Sequence, residues 1–334
     1  MLKTDALADT PITKASWREM PEKERLTFIN KILRENSVGN LFHVFTFKSS
    51  VLFSLSLTLV RKKKNIHAIS SITGLGYFFG NTTIARLART IFRLPLRTIL
   101  SGTYDYYIFQ NKTDLNRLKS YLKLNPKNLK LIESSGLETK KIKIKKNFTT
   151  ENLKVIMATR LLKEKGIDEY IEIAKKVKEQ NKKIDFFLAG EIDKGNPSSI
   201  DEEQLVEIIN DDDIIYLGNV DDLQNKLLEY DIAVTTSYHE GFSRFLLESS
   251  YVGLYCLSNY LPGTEAILKN NLNGKLINNN NIDEFVVEII NYATKDTIDE
   301  GAILEQRRFI NKEFSIEKVT QEFVDIYSKI EIDV

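Results

Sequence analysis

Short apolar runs alternate with amphipathic segments along most of this chain. From about residue 40 onward the runs predict nine strands, and segments such as 167–177 and 245–252 carry apolar residues at helical spacing. Alternation of this kind predicts right-handed βαβ units and parallel sheets covered by helices on both faces. The strands are predicted at residues 41–47, 66–72, 104–109, 129–132, 153–158, 184–189, 214–217, 232–236 and 255–258.

Residues 137–151 interrupt this alternation, because five lysines there have few apolar neighbours. We interpret the segment as an exposed hinge or linker. It divides the chain into two doubly wound, Rossmann-like α/β domains, 1–150 and 151–334. Periodicity predicts one amphipathic helix at 21–35 and another at 315–330. The first twenty residues fit no element, and nothing there predicts the apolar strand and glycine-rich turn that open a parallel-sheet domain.

The composition is that of a soluble globular protein, with 42% apolar and 28% charged residues among 334. The single cysteine, Cys256, excludes an internal disulfide and fits a reducing compartment. The longest apolar stretch, 41–60, contains His43, Lys48 and several Ser and Thr, so it predicts a strand and a buried helix rather than a membrane span. The first twenty residues lack the apolar core of a signal peptide, and a cytoplasmic chain is expected. No Cys/His spacing predicts a metal site.

Charge is distributed very unevenly between the two halves. Residues 1–150 hold 27 Lys/Arg and 10 Asp/Glu, whereas residues 151–334 hold 20 and 36. No carboxylate occurs between Glu35 and Asp105. The strong excess of positive charge in residues 1–150 predicts an anionic partner. This partner could be lipid headgroups, a lipid-linked diphosphate or nucleic acid. The sequence has no nucleic-acid motif or aromatic stacking platform, so nucleic acid is disfavoured.

One basic segment is suited to a membrane surface. Residues 81–100 predict an amphipathic helix with arginines every three or four positions and apolar residues between them. Such a helix suits an anionic bilayer surface. The alternative is a core helix with a solvated arginine face. The arginines are Arg86, Arg89, Arg93 and Arg97.

Two glutamates follow the predicted strand at 232–236. Glu240 and Gly241 lie in the loop after this strand, and a helix is predicted from about Ser243, with Glu248 inside it. Ligands of open α/β sheets bind at the carboxyl ends of the strands, where this loop would lie. Gly241 permits close approach of a ligand, and the amides that begin the helix suit an anion. Two carboxylates about 10 Å apart suit two separate sets of sugar hydroxyls. Taken alone, the pair is weak evidence, because solvated helix carboxylates are common and are then the favoured interpretation.

Other strand ends carry further chemistry. Arg160 and Lys165 follow the first strand of the second half and precede a helix, which suits a diphosphate clamp: the arginine would bind in bidentate fashion and the lysine as a point charge. Gly190 and Gly218 follow two more strands, where backbone groups could edge a nucleotide base. Two solvated surface cations are the alternative to the clamp.

Together these residues resemble the donor domain of the retaining glycosyltransferases of the two-Rossmann GT-B fold, family 4. The family signature is a Glu, seven residues and a second Glu, here Glu240 and Glu248, and the similarity continues through 262–265 to 273–276. The resemblance implies that Arg160 and Lys165 hold the donor diphosphate. It implies that Glu240 contacts the donor sugar at its reacting carbon as the catalytic residue, and that Glu248 binds the ribose. Gly190, Gly218 and the Gly241-Phe242-Ser243 segment complete the donor site.

In the first half, Lys48 and Thr73-Gly74 resemble the subgroup that acts on polyprenyl-diphosphate-linked acceptors in bacterial surface-glycan assembly, and Gly195-Asn196-Pro197 points to the same subgroup. The expected substrates are a nucleoside-diphosphate sugar, with UDP the favoured nucleotide, and a lipid-linked glycan. The enzyme would be peripheral on the inner face of the cell membrane and would need no obligatory metal or other cofactor. A plain turn is the alternative reading of 73–77.

Two departures from the family weigh on this expectation. Thr73 stands where many members have a histidine, so no such histidine is carried over. Only 47 residues precede Lys48, against roughly 80 in relatives, so the N-terminal domain is expected to be incomplete. A catalytically impaired or truncated nucleotide-sugar-binding remnant, or a partner subunit, is therefore the alternative to a working transferase.

Overall fold

The structure is a computed structural model that describes most of the chain in two compact units. Unit 1 takes in the described residues up to Phe109 together with 115–130 and 326–330, and unit 2 takes in 110–114 and 131–325. The described residues are Thr27, Ile29, Asn30, Leu33, 40–60, 66–80, 83–145, 152–181, 183–196, 198–268, 272–295 and 299–330.

The sheet of unit 1 has four described strands in the order β1-β2-β3-β4, and β2 pairs in parallel with β1 and with β3. The strands are β1 Asn40–Phe45, β2 Ile66–Ile72, β3 Tyr106–Phe109 and β4 Leu129–Leu131. The helices between them are α1 Phe47–Val60, α2 Thr83–Leu100 and α3 Lys112–Leu122.

The segment predicted as a strand followed by a buried helix forms those two elements. Thr46, with φ 77°, makes the turn between β1 and α1, and its Oγ1 accepts the Ser49 amide at 3.3 Å. Two of the serines that made α1 a poor membrane span are buried and hydrogen-bonded, since Ser50 Oγ lies 2.7 Å from Ser70 Oγ and Ser54 Oγ donates to Ser50 O at 2.9 Å. No described helix combines the length and apolarity needed to cross a membrane.

The sheet of unit 2 has six described strands, all parallel, in the order β10-β9-β8-β5-β6-β7. The strands are β5 Lys154–Ala158, β6 Asp185–Ala189, β7 Ile214–Gly218, β8 Ile232–Thr235, β9 Tyr255–Asn259 and β10 Gly274–Ile277. The helices are α4 Ile167–Gln180, α5 Glu202–Ile209, α6 Leu223–Lys226, α7 Arg244–Val252, α8 Pro262–Glu265, α9 Ile282–Ala293, α10 Glu300–Phe314 and α11 Ile316–Tyr327.

Both faces of this sheet are covered. Successive side chains of a strand point to opposite faces. Val155 and Met157 of β5 accordingly belong to one buried cluster with residues of α4 and α9, and Ile156 belongs to a second cluster with residues of α7 and α10. Parallel sheets buried on both faces confirm the predicted α/β class of doubly wound architecture. All nine predicted strands are present, and β10 is a strand that the sequence did not predict.

The lysine-rich segment is not a free linker. Lys140 and Lys141 are exposed, as predicted, but Leu137 and Ile142 are buried in the core of unit 2. The side chain of Lys145 is only 9% exposed, and it forms an ion pair with Asp231 and donates to Tyr230 O at 2.7 Å. The interpretation of 137–145 as an exposed hinge was therefore wrong, and residues 146–151 lie outside the described part.

The N-terminal predictions are largely beyond what the structure describes. Within the helix predicted at 21–35, the described residues Thr27, Ile29, Asn30 and Leu33 are helical. The expectation of an incomplete N-terminal domain stays a prediction. At the other end of the chain, α11 matches the amphipathic helix predicted at 315–330.

Candidate functional site

Parallel strands bring the predicted donor-site residues to one edge of the unit 2 sheet. Arg160 follows β5, Gly190 follows β6, Gly218 ends β7 and Glu240 follows β8. Because these strands are parallel, their carboxyl ends lie side by side, and open α/β sheets bind ligands at this edge. The order of the strands in space therefore groups residues that are up to 80 positions apart in sequence.

Lys165 and Glu240 are in direct contact. Lys165 Nζ lies 2.5 Å from Glu240 Oε1, and Ser237 Oγ donates to the same oxygen at 3.2 Å. Gly166 makes this approach feasible: its φ is 72°, and a Cβ there would overlap the carbonyl oxygen of Thr236. Thr236 Oγ1 in turn donates to Gly166 O at 2.6 Å. The turn before α4 is thus held against the end of β8, with the cation on the carboxylate.

Arg160 is also held by a carboxylate. Its Nη1 donates to Asp193 Oδ2 at 2.6 Å, and Asn196 Nδ2 donates to the same oxygen at 3.2 Å. The loop that carries Asp193 is fastened beside β5, because the amide of Ile200 donates to Leu161 O at 3.0 Å. Both predicted diphosphate cations therefore have a defined position in which their charge is partly balanced.

Glu248 is buried in α7 and bonded through one oxygen. Gln224 Nε2 donates to its Oε1 at 2.9 Å, and Arg244 Nε donates to the same atom at 2.8 Å. Arg244 lies one turn before Glu248 on the helix surface, at the i,i+4 spacing that brings side chains together. The two predicted sugar-binding glutamates thus have separate sets of partners.

The segment between the two glutamates begins α7. Ser243 is the N-cap, and its Oγ accepts the amide of Leu246 at 3.3 Å. The ring of Phe242 packs against Phe314 with centroids 5.4 Å apart, so this side chain belongs to the core. The backbone of the predicted donor-site triplet is also partly used, since the amide of Ser243 donates to Gly263 O at 3.5 Å and Gly241 O accepts from Asn111 Nδ2 at 3.2 Å.

The loops after β6 and β7 are bonded to each other. The amide of Gly190 donates to Gly218 O at 2.8 Å, and Tyr216 OH donates to Gly190 O at 2.7 Å. Burial, and then the negative charge of Glu191, raises the pKa of Tyr216, so its hydroxyl stays protonated and can keep donating. The backbone segments at these two glycines are therefore held together at the sheet edge by hydrogen bonds.

The predicted acceptor-side residues lie at the equivalent edge of the unit 1 sheet. Lys48 is exposed in the first turn of α1, directly after β1, and Thr73 and Gly74 follow β2. Phe45 and Ser71 are paired in the parallel register of β1 and β2, so both strands end at the same level. Lys48 and the Thr73-Gly74 loop are thus neighbours at one edge of their own sheet.

Sequence reasoning missed the side chains that orient predicted site residues, among them Asp193, Gln224 and Arg244. Arg244 could have been found, since an arginine four positions before a glutamate in a predicted helix forms an i,i+4 pair. Asp193 lies 33 residues from its partner Arg160, and Gln224 lies 24 residues from its partner Glu248. Both contacts depend on the conformation of the intervening loops. No periodic signal marks contacts of that kind.

The sequence profile of the family Glycosyl transferases group 1 matches residues 138–312, more than half of the chain. Among curated proteins, the chain is 28% identical over 216 residues to the N,N'-diacetylbacillosaminyl-diphospho-undecaprenol alpha-1,3-N-acetylgalactosaminyltransferase of Campylobacter jejuni, covering 61% of this chain and 55% of that protein. It is 29% identical over 156 residues to the phosphatidylinositol N-acetylglucosaminyltransferase gpi3 subunit of Schizosaccharomyces pombe, covering 45% of this chain and 32% of that protein. The chain spans 32% to 55% of the length of these relatives.

Solved structures show the same fold. The crystal structure of Anabaena HepE in complex with UDP-glucose superposes with a TM-score of 0.74, at 14% identity, over 93% of this chain and 84% of that one. At this level of identity the likeness establishes the fold, a GT-B arrangement of parallel α/β sheets.

Proposed function

Because the chain belongs to the family Glycosyl transferases group 1, we propose that it is a retaining glycosyltransferase acting in bacterial surface-glycan synthesis. It moves a sugar from a nucleoside-diphosphate sugar to a lipid-linked or polysaccharide acceptor. The observation that carries the proposal is the grouping of two cations and two glutamates on the carboxyl edge of one parallel sheet, with Lys165 in contact with Glu240.

The proposed reaction breaks the bond between the anomeric carbon and the diphosphate oxygen and forms a bond from that carbon to an acceptor hydroxyl. The leaving nucleoside diphosphate takes the electron pair, and one of its phosphate oxygens takes the hydroxyl proton. Arg160 and Lys165 stabilise the charge that develops on the diphosphate. Glu240 contacts the donor sugar at the reacting carbon, and Glu248 binds the ribose.

The substrate class is proposed from the relatives. The Campylobacter protein is named for a diphospho-undecaprenol acceptor, and a relative from Escherichia coli, 30% identical over 114 residues, is named for UDP-Gal and a diphosphoundecaprenol acceptor. We expect a UDP-hexose or UDP-N-acetylhexosamine as donor here and a polyprenyl-diphosphate-linked glycan as acceptor. Lys48 and the Thr73-Gly74 loop are the proposed contacts on the acceptor side.

Helix α2 supports a place on the inner face of an anionic membrane. Arg89 Nη1 donates to the carbonyls of Phe78 and Gly80, at 2.6 and 2.8 Å. Arg93 Nε donates to Tyr121 O at 3.2 Å, so both arginines form hydrogen bonds with the backbone of unit 1. The face turned to solvent is an apolar stripe at i, i+3, i+7 and i+10 whose side chains are 60–72% exposed: Ile84, Leu87, Ile91 and Leu94. An apolar stripe on a helix within a carboxylate-free, basic region is suited to the interface of anionic lipids.

Vesicle binding tests this membrane proposal. We expect the protein to float with vesicles containing anionic lipid, and to dissociate as salt is raised. Leu87→Asn combined with Ile91→Asn should abolish flotation. The matched control is Val206→Asn with Ile209→Asn, which removes two exposed apolar residues from α5 in unit 2. Equal loss in both double variants, or flotation insensitive to salt, would contradict the proposal.

The transferase itself is tested by turnover. UDP-hexoses and UDP-N-acetylhexosamines are offered with polyprenyl-diphosphate-linked acceptors, and product is measured by mass spectrometry. We expect product with one donor and none with Glu240→Ala. Binding of UDP without product from any donor would favour the nucleotide-binding remnant, and absence of UDP binding would contradict both.

A further inference from the structure

Glu248 is buried, yet its hydrogen-bonding groups are used unevenly. A carboxylate oxygen has two lone pairs, so each oxygen accepts about two hydrogen bonds. Oε1 of Glu248 accepts two, from Gln224 and Arg244, while Oε2 accepts none from the described residues. Oε2 is not among the fully buried, unpartnered side-chain oxygens of the described residues, so it is the atom of this side chain that is open to a ligand hydroxyl.

The two donors differ in how firmly they hold Oε1. The side chain of Arg244 is 61% exposed and sits on the same helix as Glu248, so its hold is weakened by solvent. Gln224 is half-buried in α6 and comes from a different element. Asp222 caps that short helix, because its Oδ1 accepts the amide of Asn225 at 3.2 Å. Of the two donors, Gln224 is therefore the one that fixes the rotamer of Glu248.

We propose that Gln224 is a positioning residue for nucleoside recognition: it holds Oε1 of Glu248 so that Oε2 accepts a hydrogen bond from a ribose hydroxyl. The proposal rests on the proposed function, in which Glu248 binds the ribose. Gln224 also links two parts of the donor site. It contacts Glu248, which is proposed to bind the ribose, and it lies six residues after Gly218, where the base is predicted to bind. Gln224 would then fix the position of the ribose-binding carboxylate of Glu248 relative to the segment that binds the base.

The test combines changes to the protein side chains with removal of single ribose hydroxyls from the ligand. UDP, 2′-deoxy-UDP and 3′-deoxy-UDP are titrated calorimetrically into the unaltered protein, the Gln224→Leu variant and the Glu248→Gln variant. In the unaltered protein we expect at least one deoxy ligand to bind about tenfold more weakly than UDP, as for loss of a hydrogen bond to a charged group. Both variants should lose most of that ratio.

A merely structural role for Gln224 would weaken all three ligands equally and leave the ratio intact, and that result would overturn the proposal. Gln180→Leu, at the carboxyl end of α4, is the matched control and should leave both affinity and ratio unchanged. Thermal unfolding of each variant shows that it is folded. If Glu248→Gln keeps the ratio, the ribose role of Glu248 fails and the positioning role with it, whereas a ratio lost in Glu248→Gln and kept in Gln224→Leu overturns the positioning role alone.

Discussion

The ammonium group of Lys165 lies 2.5 Å from Oε1 of Glu240, and only 14% and 15% of the two side chains are exposed. A pair so shielded interacts more strongly than a surface pair, and removing one partner leaves the other charge poorly compensated. In the proposed reaction Lys165 must interact with the donor diphosphate while Glu240 contacts the sugar. The ion pair therefore holds both groups in place, and the donor's anion competes with Glu240 for the lysine.

This competition predicts opposite effects on binding and on catalysis. Glu240→Gln should lower transfer by about a hundredfold or more, because a contact at the reacting carbon is lost. The same variant should bind UDP at least as tightly as the unaltered protein, since Lys165 no longer has to leave a carboxylate. Lys165→Met should weaken UDP binding about tenfold. Calorimetric titration of UDP measures both, and equal weakening by the two substitutions would contradict the competition.

A second ion pair predicts a large effect on stability. Lys145 and Asp231 are 9% and 6% exposed, and Asp231 Oδ2 also accepts the amide of Lys154 at 2.9 Å. Lys145→Met should lower the free energy of unfolding by about 3 kcal/mol, because it leaves the Asp231 carboxylate buried without its cation. Urea denaturation followed by circular dichroism gives the value.

The control for this prediction is a neighbouring pair with the opposite exposure. Lys140 and Glu317 lie 2.6 Å apart, but their side chains are 81% and 52% exposed. Exposed pairs contribute little, so Lys140→Met should leave the urea midpoint unchanged. A similar loss in both variants would mean that burial of Lys145 does not decide its contribution.

Unit 1 contains a histidine that predicts pH-dependent stability. His43 Nδ1 lies 2.7 Å from Tyr327 OH, and Nε2 lies 2.7 Å from Ser71 Oγ. Burial lowers the pKa of His43 from 6.5 to about 4, so the folded state holds a neutral ring where the unfolded chain binds a proton. This contribution is complete above pH 6.5 and is lost as the pH falls towards 4. Because the ring is partly exposed, we expect a loss of about 1 to 2 kcal/mol over that window.

Comparison with His43→Gln isolates this contribution from that of the carboxylates, which titrate in both proteins. The glutamine can keep hydrogen bonds but does not take up a proton. Unfolding free energies measured at pH 7, 6 and 5 should fall less steeply in the variant. Parallel slopes would show that the ring does not titrate as burial demands.

The elements of this protein were predictable where a local pattern decides the structure. A buried parallel strand needs a short apolar run, so β5 and β8 stand out in the sequence, whereas β10, with the sequence Gly-Lys-Leu-Ile, has too few apolar residues to be recognised. The lysine-rich segment was misread because Lys145 is buried through Asp231, which lies 86 residues away. Burial of a charge depends on a distant partner that no window of sequence contains.

The same distinction holds within the candidate site. Strand order places Arg160 and Glu240 at one sheet edge, and parallel topology alone is enough to infer that. The orientation of each side chain is set by residues such as Asp193 and Gln224, whose positions depend on the path of a loop. The shared position of these residues at one sheet edge was thus predictable, and their hydrogen bonds were not.

The glycine after β6 provides the last prediction. Gly190 has φ 149°, and a Cβ there would overlap the carbonyl oxygen of Thr159, the residue before Arg160. Gly190→Ala must therefore push the loops after β5 and β6 apart, which moves Arg160 and strains the core nearby. We expect a loss of about 2 kcal/mol in stability and about tenfold weaker UDP binding. The control is Gly195→Ala: Gly195 has φ 85° but nothing within 4 Å of its Cβ position, so it carries backbone strain without the clash. Calorimetry of UDP binding should separate the two, since an equal effect would assign the loss to backbone strain rather than to the approach of the two loops.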